Sequence, residues 1–429
     1  MTTQHDKASS VSSWYVVSIL AAAYAVNFLD RQVINILGQS IKTELGISDA
    51  QLGLLTGTAF GLFYSFLGIP IARFADRAHR VNLITTALIV WSGLTALCGL
   101  THTFAQLFLV RLGVGIGEAG GTPPSQSLVS DYVAPQRRIA AFSLFNLGLP
   151  VGSLLGFLLG GYVSQHFGWR IAFLAAGSPG LLIAVLLKFT VPEPARGAIE
   201  GEGAVGRDAA TLWVTLQRLM SNKAYMQAIF GCSFAIFIIY VTNAWLPALF
   251  IRLHGFSQQR IGAWLALAVG LGGGIGIMGG GALAALLRRK WSPYADLWLV
   301  ALSAVLACPT LIVAVWSDNL VFALSAMFFL YVFSYVWMGP TSSRVQDMVP
   351  IRSRAQAVGF MLFLSNIIGL ACGPPLVGLI SDLLKPSYGP SSLRWALSLA
   401  SVGSLVSAAC YGAAARSIRR QNSCLVRND

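Results

Sequence analysis

The chain has 429 residues, of which 55% are hydrophobic and only 10% are charged. Soluble domains carry about 25% charged residues, so this composition excludes a soluble globular protein and indicates one that crosses a membrane many times. The net charge of +13 does not indicate nucleic-acid binding, because the basic residues lie in short loops between apolar runs. In such loops Lys and Arg orient a membrane protein and contact anionic lipid.

Sequence signals of several other protein classes are missing. The six cysteines show no CxxC or Cys/His spacing, so we expect packing residues rather than disulfides or a metal site. No Gly-x4-Gly-Lys-Ser/Thr loop for nucleotide phosphates is present, and no histidine begins a His-x4-Asp acyltransferase pattern. We therefore expect no enzyme activity and no cofactor, and any transport must draw its energy from a gradient.

Twelve apolar segments follow one another along the chain, and most reach the about 20 residues that a spanning helix needs. They cover residues 14–37, 51–73, 83–101, 104–131, 138–163, 168–190, 224–250, 258–287, 294–316, 320–343, 354–382 and 391–415. The run from Val16 to Ala25 resembles a cleavable signal, but it continues toward Asp30, so we expect a retained first helix. An even number of spans places both termini on one side. Most of the 29 Lys and Arg residues lie in the loops and tails of that side, which predicts cytoplasmic termini.

The longest connection divides the chain into two halves of six segments. We predict a first six-helix bundle over residues 1–190, a cytoplasmic linker over 191–222, a second six-helix bundle over 223–416 and a cytoplasmic tail over 417–429. Three leucines of the linker recur at helical spacing, which predicts a short helix lying in the membrane interface: Leu212, Leu216 and Leu219.

The two halves also repeat a short pattern. Asp131 is followed seven residues later by Arg138, and the same pair recurs 216 positions later as Asp347 and Arg354. A Gly-rich apolar segment follows in each half. Parallel repeats of six helices are typical of one transporter architecture, in which the binding site lies near the bilayer midplane. We therefore expect an all-α membrane protein of two pseudo-symmetric halves.

Four charged side chains lie inside apolar segments of the first half: Asp30, Arg31, Arg111 and Glu118. Each such charge costs about 2.5–3.5 kcal/mol at a bilayer centre, so chains rarely keep one without a use. Arg111 and Glu118 lie seven residues apart, on one face of a helix and about 10 Å apart along it. Each therefore needs a partner on a neighbouring helix. Together the four charges sum to zero and can pair internally.

Two interpretations of this cluster are open. One is a static ion-pair clamp between two helices. The other, which we favour, is a switch in which Glu118 carries the coupling proton, with Asp30 as the rival carrier. Burial disfavours an ionised carboxylate and a nearby arginine favours it, so a substrate that engages the arginine can drive proton uptake. We expect Arg31 to be a steady partner of Asp30, which leaves Glu118 as the more responsive group.

The second half offers no acid or base inside its first, fourth and fifth segments, and offers aromatic and weakly polar residues instead. Such a wall opposite a charged half suits a molecule with an anionic end and an apolar body. Ordinary packing or anchoring at the membrane interface remains the alternative for each residue taken singly. The predicted substrate-binding residues are Arg31, Arg111, Asn27, Tyr24, Asn146, Tyr240, Asn243, Tyr335, Trp337 and Asn366.

The loop after the second segment reads Ala-Arg-Phe-Ala-Asp-Arg-Ala-His-Arg over residues 72–80. An acid at a helix end among arginines suits a latch that holds one conformation, while topogenic charge is the alternative. The matching loop of the second half keeps the bases and lacks the acid. The Gly-x-Gly-x-x-Gly pattern at residues 115–120 lies within an apolar helix, so we read it as helix packing and not as a dinucleotide site. The predicted latch residues are Asp76, Arg77, Arg80, Asp131 and Arg138.

The loop at residues 72–80 resembles the major facilitator signature Gly-x-Leu-Ala-Asp-Arg-x-Gly-Arg, with Ala72 and His79 in place of its glycines. Together with other motifs it resembles the spinster family of that superfamily, over about residues 20–410. These motifs are the charged first segment, Arg111 to Glu118, Trp337 thirteen residues before Pro350, Leu364-Ser-Asn-Ile-Ile-Gly and Gly378-Leu-Ile-Ser-Asp382.

The resemblance implies a two-lobed major facilitator fold of twelve transmembrane helices that works by rocker-switch alternating access. Animal members of the family export lysolipids and sphingosine phosphate, which implies a lipid-like anion as substrate. The helix 1 Asp-Arg pair of the family falls on Asp30 and Arg31, and its helix 4 Arg and Glu fall on Arg111 and Glu118.

We therefore predict a proton-coupled secondary transporter of an amphiphilic organic anion such as a lysolipid or a sphingoid-like lipid. A proton symporter of a small carboxylate and a non-transporting lipid sensor remain alternatives. The expected partners are the substrate, protons and membrane lipids, without nucleic acid, and the expected state is a monomer. The expected location is a bacterial inner membrane, with many spans and both termini cytoplasmic.

Overall fold

The computed structural model describes residues 12–75, 77–195, 212–349 and 353–425. Within these ranges every regular element is an α-, 3-10 or π-helix, and no strand occurs. The predictions for Asp76, for linker residues 196–211 and for tail residues 426–429 lie outside the described residues. The predicted linker helix is present as Leu212–Ser221. Its position in a membrane interface stays a prediction.

Six membrane helices, α1 to α6, precede the linker. Helix α1 is Ser13–Leu45, and α2 joins Asp49–Gly53, a π-helical Leu54–Thr58 and Ala59–Ala75. Helix α3 is Arg80–Cys98, and α4 consists of Phe104–Glu118 and Thr122–Tyr132. After a 3-10 turn at Pro135–Arg137, Arg138–Asn146 and Gly148–Thr190 supply α5 and α6, which are separated at Gly168, where φ is 83°.

Six further helices, α7 to α12, follow the linker. Helix α7 is Lys223–His254, and α8 joins Gln258–Leu267, a π-helical Ala268–Gly272 and Gly273–Lys290. Helix α9 is Ala295–Trp316, and α10 consists of Leu320–Tyr335 and Met338–Asp347. Helix α11 joins Arg354–Ser365, a π-helical Asn366–Ala371 and Gly373–Tyr388. A 3-10 turn at Gly389–Ser391 leads to α12, formed by Ser392–Ala400 and Val402–Leu425.

Nine helical stretches of the described chain are long and apolar enough to cross a membrane. Two of these stretches, Ala140–Thr190 and Gln356–Arg420, each contain two of the predicted segments, because the chain turns at Gly168 and Gly389. Helix α4 is not among the nine because a turn divides it after Glu118. The twelve predicted spans are thus accounted for, and the prediction of an all-α membrane protein is confirmed.

The described chain forms two compact units. The first unit contains the described residues of Met1–Ile47, Leu54–Arg207 and Gly255–Ala266, and the second contains those of Ser48–Gly53, Asp208–His254 and Leu267–Asp429. This division follows the two predicted halves except at two short segments, each of which is followed by a π-helical stretch, at Leu54–Thr58 and Ala268–Gly272.

Close backbone packing of α1 against α5 organises the first unit. Four glycines of α5, spaced four residues apart, face α1, where an added Cβ would lie 2.0–2.8 Å from its atoms: Gly148, Gly152, Gly156 and Gly160. A stripe of small residues lets two helix backbones approach closely, which is how helices associate in a membrane without a hydrophobic driving force. Because one face of α1 packs on this glycine stripe, other faces of α1 are directed toward α3 and α4.

Helix α7 is the centre of the second unit, and 83% of its most apolar stretch of 18 residues is buried. It packs against α11 and α12. The indole Nε1 of Trp245 donates to the carbonyl of Pro374 at 3.0 Å, so even the polar edge of this buried ring is satisfied. A buried ion pair between Arg344 and Asp296 joins the ends of α9 and α10, with Nε and Oδ2 2.6 Å apart.

Candidate functional site

Glu118 lies where α4 breaks. The first part of the helix ends at Glu118, and the second begins at Thr122 with two prolines in its first turn. Proline suits the first turn of a helix because its missing N–H would have no partner there. Gly115 and Gly117, just before Glu118, lie against the backbones of Phe60 and Trp91. These glycines allow α4 to approach α2 and α3, as expected for a packing motif.

The carboxylate of Glu118 is fully buried and receives two hydrogen bonds from α1. Asn27 Nδ2 donates to Oε2 at 2.7 Å, and Arg31 Nε donates to the same oxygen at 2.8 Å. The two donors lie four residues apart and therefore share one face of α1. The other oxygen, Oε1, has no hydrogen-bond partner among the described residues. One oxygen thus carries the ion pair while the other is open to a proton.

Aromatic rings surround the guanidinium of Arg31. Its Cζ lies 4.5 Å from the ring centre of Tyr64, 4.6 Å from that of Phe60 and 5.1 Å from that of Phe28. Cation–π attraction is strongest where water is excluded, as it is here, since Arg31 is only 9% exposed. The cation is therefore stabilised by the rings as well as by Glu118.

Asp30 and Arg111 are buried without a mutual ion pair. Asp30 receives a hydrogen bond from Thr95 Oγ1 at 3.3 Å, and its Oδ1 has no partner within the described chain. Arg111 is 1% exposed, its Nε and Nη1 have no partner among the described side chains and backbone groups, and its Cζ lies 5.6 Å from the ring centre of Phe60. Among the described residues the cluster therefore holds one formed ion pair, and Asp30 and Arg111 are charged side chains outside that pair.

The sequence analysis expected Arg31 to be a steady partner of Asp30, whereas the ion pair described for Arg31 is with Glu118. Successive residues of a helix point about 100° apart. Asp30 consequently faces Thr95 on α3, whereas Arg31 faces α4. All four charged residues belong to the first unit, as the sequence indicated.

The remaining candidates of the first half are aromatic or amide side chains near this cluster in sequence. The ring of Tyr24 on α1 stacks on that of Phe145, with centroids 4.6 Å apart. Asn146, the neighbour of Phe145, is exposed. The structure thus brings Asn27 into the charged cluster and leaves Asn146 without a described hydrogen bond to it. The substrate-binding roles of Tyr24 and Asn146 stay predictions.

In the second half the candidates lie in the second unit. Asn243 is 1% exposed, and its Oδ1 accepts a hydrogen bond from Tyr331 at 2.7 Å. Tyr335 and Trp337, at the break of α10, are each 7% exposed. The less buried candidates are Tyr240 on α7 and Asn366, where the π-helical part of α11 begins. Tyr331 is one of the aromatic residues of this wall, and its four-residue spacing from Tyr335 places both on one face of α10.

Two of the predicted latch residues form an ion pair inside the first unit. Arg80 is buried and binds Asp131 at the end of α4 and Glu193, whose Oε1 lies 2.7 Å from its Nε. Its Nη2 also donates to the carbonyl of Pro194 at 3.1 Å. These contacts attach the beginning of the predicted linker to α3 and α4. Sequence reasoning missed Glu193, which lies 113 residues from Arg80 and has no local signal.

The other predicted latch residues have different surroundings. Arg138 Nη2 donates to the carbonyl of Ser130 at 2.8 Å, and in the second unit Arg354 Nε donates to that of Gln346 at 3.1 Å. Each bond reaches back eight residues, so the sequence repeat is also a repeat of contacts. Arg77 is exposed. The latch function of these residues stays a prediction.

A polar cluster in the second unit also escaped the sequence analysis. The carboxylate of Asp49, at the start of α2, accepts two hydrogen bonds from Arg252, at 2.7 and 3.0 Å, and one from Ser381 at 2.7 Å. The neighbouring Asp382 accepts from the backbone N–H groups of residues 49 and 50. Anions stabilise helix N-termini in this way. In the part of the chain that the structure describes, no three His, Cys, Asp or Glu side chains are grouped to hold a metal ion.

Comparison with known proteins places this geometry in a family. Residues 20–374 match the model of the Major Facilitator Superfamily. An MFS-type efflux pump of Mycolicibacterium smegmatis is 30% identical over 98% of this chain and 96% of its own. A sphingosine-1-phosphate transporter of Danio rerio is 27% identical over 89% of this chain and 78% of its own.

The crystal structure of a bacterial homologue of the human lysosomal transporter spinster, in an inward-facing and unoccupied conformation, matches with a TM-score of 0.87. The two chains are 28% identical, and the match covers 95% of this chain and 98% of the other. The predicted major facilitator fold and the resemblance to the spinster family are thereby confirmed. The chain belongs to the major facilitator superfamily, among its spinster-like members, and is a multi-pass membrane transporter rather than an enzyme.

Proposed function

We propose that the protein is a proton-coupled secondary transporter of an amphiphilic organic anion, of the lysolipid or sphingoid-phosphate class. It works as a monomer by alternating access in a bacterial inner membrane, with both termini cytoplasmic. The observation that carries the proposal is the state of the buried cluster: Glu118 shares one oxygen with Arg31 and leaves the other unpartnered. Arg111 has two guanidinium nitrogens without a hydrogen-bond partner among the described residues.

Proton coupling follows from the competition for Arg31. While Arg31 bonds Glu118, the carboxylate is stabilised as an ion. An anion that draws Arg31 away removes this counter-charge, and the fully buried carboxylate then takes up a proton on the unpartnered Oε1. When the anion leaves, Arg31 returns and the proton is released. Substrate and proton are thus linked through one guanidinium, and each changes the affinity for the other by the same factor.

Arg111 is the residue that we assign to the first contact with the anion. Two nitrogens of this buried guanidinium lack hydrogen-bond partners among the described residues, so part of its desolvation cost is not offset. A phosphate or carboxylate can offset that cost with a fork of two hydrogen bonds. The similarity to a sphingosine-1-phosphate transporter supports a substrate that joins a phosphate to a long apolar chain. A small carboxylate would use the same fork, and it is the second candidate.

The test of proton coupling uses Glu118→Gln in liposomes. Glutamine keeps the shape and an acceptor oxygen but cannot carry a proton. The variant should exchange labelled substrate across the membrane and should no longer accumulate or expel it when a pH gradient is imposed. Asp30→Asn is the matched variant, since Asp30 is equally buried but bonds only Thr95 among the described residues. Gradient-driven transport that survives in Glu118→Gln and is lost in Asp30→Asn would assign the proton to Asp30 and overturn the proposal.

The substrate class needs a separate test. Mass spectrometry of the molecules that co-purify, followed by counterflow with labelled lysophospholipid, sphingoid phosphate and short carboxylates, separates the two candidates. A protein that binds a lipid without counterflow would be a sensor and not a transporter. Counterflow with short carboxylates alone would establish the second candidate.

A further inference from the structure

A small, partly open cavity lies in the second unit and is lined by α7, α9, α10 and α12. It offers about 20 Å³ to the centre of a water molecule. Most of the residues around it are apolar, including Ile238 on α7, Val300 on α9 and Phe333 on α10. Polar side chains interrupt this apolar wall, among them Ser334, Trp337 and Ser404.

These three side chains have buried polar atoms without partners. Ser334 Oγ, Trp337 Nε1 and Ser404 Oγ make no hydrogen bond within the described chain. The three residues are 7%, 7% and 2% exposed. An unsatisfied buried donor or acceptor costs about 1–3 kcal/mol, so proteins rarely leave three beside one another.

Other polar groups of the unit show that such atoms are normally satisfied here. Ser303 and Ser407, on the same cavity wall, donate to the carbonyls of Val300 and Gly231 at 2.8 and 2.7 Å. The indole of Trp245 donates to a carbonyl at 3.0 Å. The three unpartnered groups are therefore exceptions within this part of the unit, and all three border the cavity.

We propose that this cavity is a binding site for an ordered water molecule held by Ser334, Trp337 and Ser404. One buried water needs about 10–15 Å³ measured in this way, which the cavity provides. Such a water typically makes about three hydrogen bonds, and three lining groups have unpartnered polar atoms to offer. The indole N–H can only donate, so the occupant must accept a hydrogen bond, which excludes an apolar guest. No charged residue lines the cavity, so neither an anion nor a metal cation is suited to it.

The proposed water site occupies the position in the second half that is equivalent to Glu118 in the first half. Ser334 lies 216 positions after Glu118, the same interval that separates the Asp131 and Arg138 pair from its copy. Both residues also lie at the break of their helix, α4 or α10. The second unit thus holds a neutral, hydrated site where the first unit holds a buried carboxylate. This inference does not depend on proton coupling.

X-ray hydroxyl-radical footprinting in H2(18)O tests the site, because radicals formed from a bound water oxidise the side chains beside it. Trp337 should be oxidised several-fold faster than Trp245, whose indole is fully buried and already bonded to a carbonyl. Since Trp337 keeps a small exposed fraction, a variant must separate bound water from bulk water. Ser404→Leu fills the cavity and should lower the rate at Trp337 to that of Trp245. The control Ser233→Ala removes a buried hydroxyl that does not line the cavity, and should leave the rate unchanged.

Two results would overturn the inference: Trp337 and Trp245 oxidised at the same rate, or a rate at Trp337 that Ser404→Leu does not lower. If Ser404→Leu does not fold, an experimental density map of the wild-type protein decides. Density for a water within hydrogen-bond distance of Trp337 Nε1 supports the site. A dry cavity in a map that resolves other buried waters refutes it.

Discussion

The two units use equivalent helix positions for different chemistry. Tyr24 and Asn27 on α1 recur 216 positions later as Tyr240 and Asn243 on α7. Asn27 donates to a carboxylate, whereas Asn243 accepts from the hydroxyl of Tyr331. The four charged residues of the buried cluster have neutral counterparts at this interval, since positions 246, 247, 327 and 334 are Leu, Pro, Met and Ser. One repeated helical frame therefore carries an ion-handling cluster in one unit and a neutral polar network in the other.

The largest effect, on the transport rate, is expected when Arg111 is replaced by the neutral residue found at the equivalent position of the second unit. Arg111→Met introduces the residue found at position 327. Two charge-assisted hydrogen bonds contribute about 1.5–3 kcal/mol each, and 1.4 kcal/mol is a factor of ten, so transport of an anionic substrate should fall about 100-fold or more. Initial rates in liposomes measure it, with Met327→Leu as the control that should keep transport. Wild-type rates in Arg111→Met would show that this arginine is structural.

A smaller effect, on stability alone, is expected when one of two ion pairs at helix ends is broken. One pair joins α9 and α10, and the other joins α8 and α10. Arg344 and Asp296 are almost fully buried, whereas Arg288 and Asp347 are each about 40% exposed. Breaking a buried pair by removing one partner costs about 3–5 kcal/mol, while an exposed pair contributes about 0–1 kcal/mol. In detergent, Arg344→Met should therefore lower the melting temperature far more than Arg288→Met. Equal shifts would contradict the assigned burial of the two pairs.

The smallest effects are expected at the two equivalent asparagines, Asn27 and Asn243, and they differ in kind. Without the bond from Asn27 the Glu118 carboxylate is less well stabilised as an ion, so Asn27→Ala should move the pH profile of transport to higher pH. Asn243→Ala leaves the Tyr331 hydroxyl without its partner, which costs about 1–3 kcal/mol of stability. The pH profile of this second variant should match that of the wild type. A shifted profile in Asn243→Ala would mean that the neutral network also controls proton uptake.

Much of the fold could be predicted because its signals are local. Apolar length marks each span, and the isolated charges at positions 30, 31, 111 and 118 identify the cluster without any structure. The break of α4 was also readable, since Pro123 and Pro124 favour a helix start just after Glu118. So was the divergence of Asp30 and Arg31, because neighbouring residues of a helix point in different directions.

Partners brought together by tertiary packing could not be read in this way. Nothing near Glu193 indicates Arg80, and nothing near Asp382 indicates the beginning of α2. The unpartnered donors of Arg111 are a property of what surrounds the side chain, which no sequence window contains. The sequence therefore reveals which residues are unusual, while the structure determines which of them meet.

One packing detail couples two positions that are distant in sequence. In the first unit Trp91 on α3 lies against Gly121, where an added Cβ would approach its ring to 3.1 Å. The counterparts 216 positions later are Ala307 and Trp337, so the bulky ring comes from the opposite helix. Neither residue of such a pair can be substituted alone without loss of stability. Two rings overfill the space, and a pair without a ring leaves a cavity that lowers the free energy of unfolding by about 3–5 kcal/mol. Substitutions at positions 91 and 121 should therefore compensate for one another. A destabilising substitution at one position should be suppressed by a second substitution at the other.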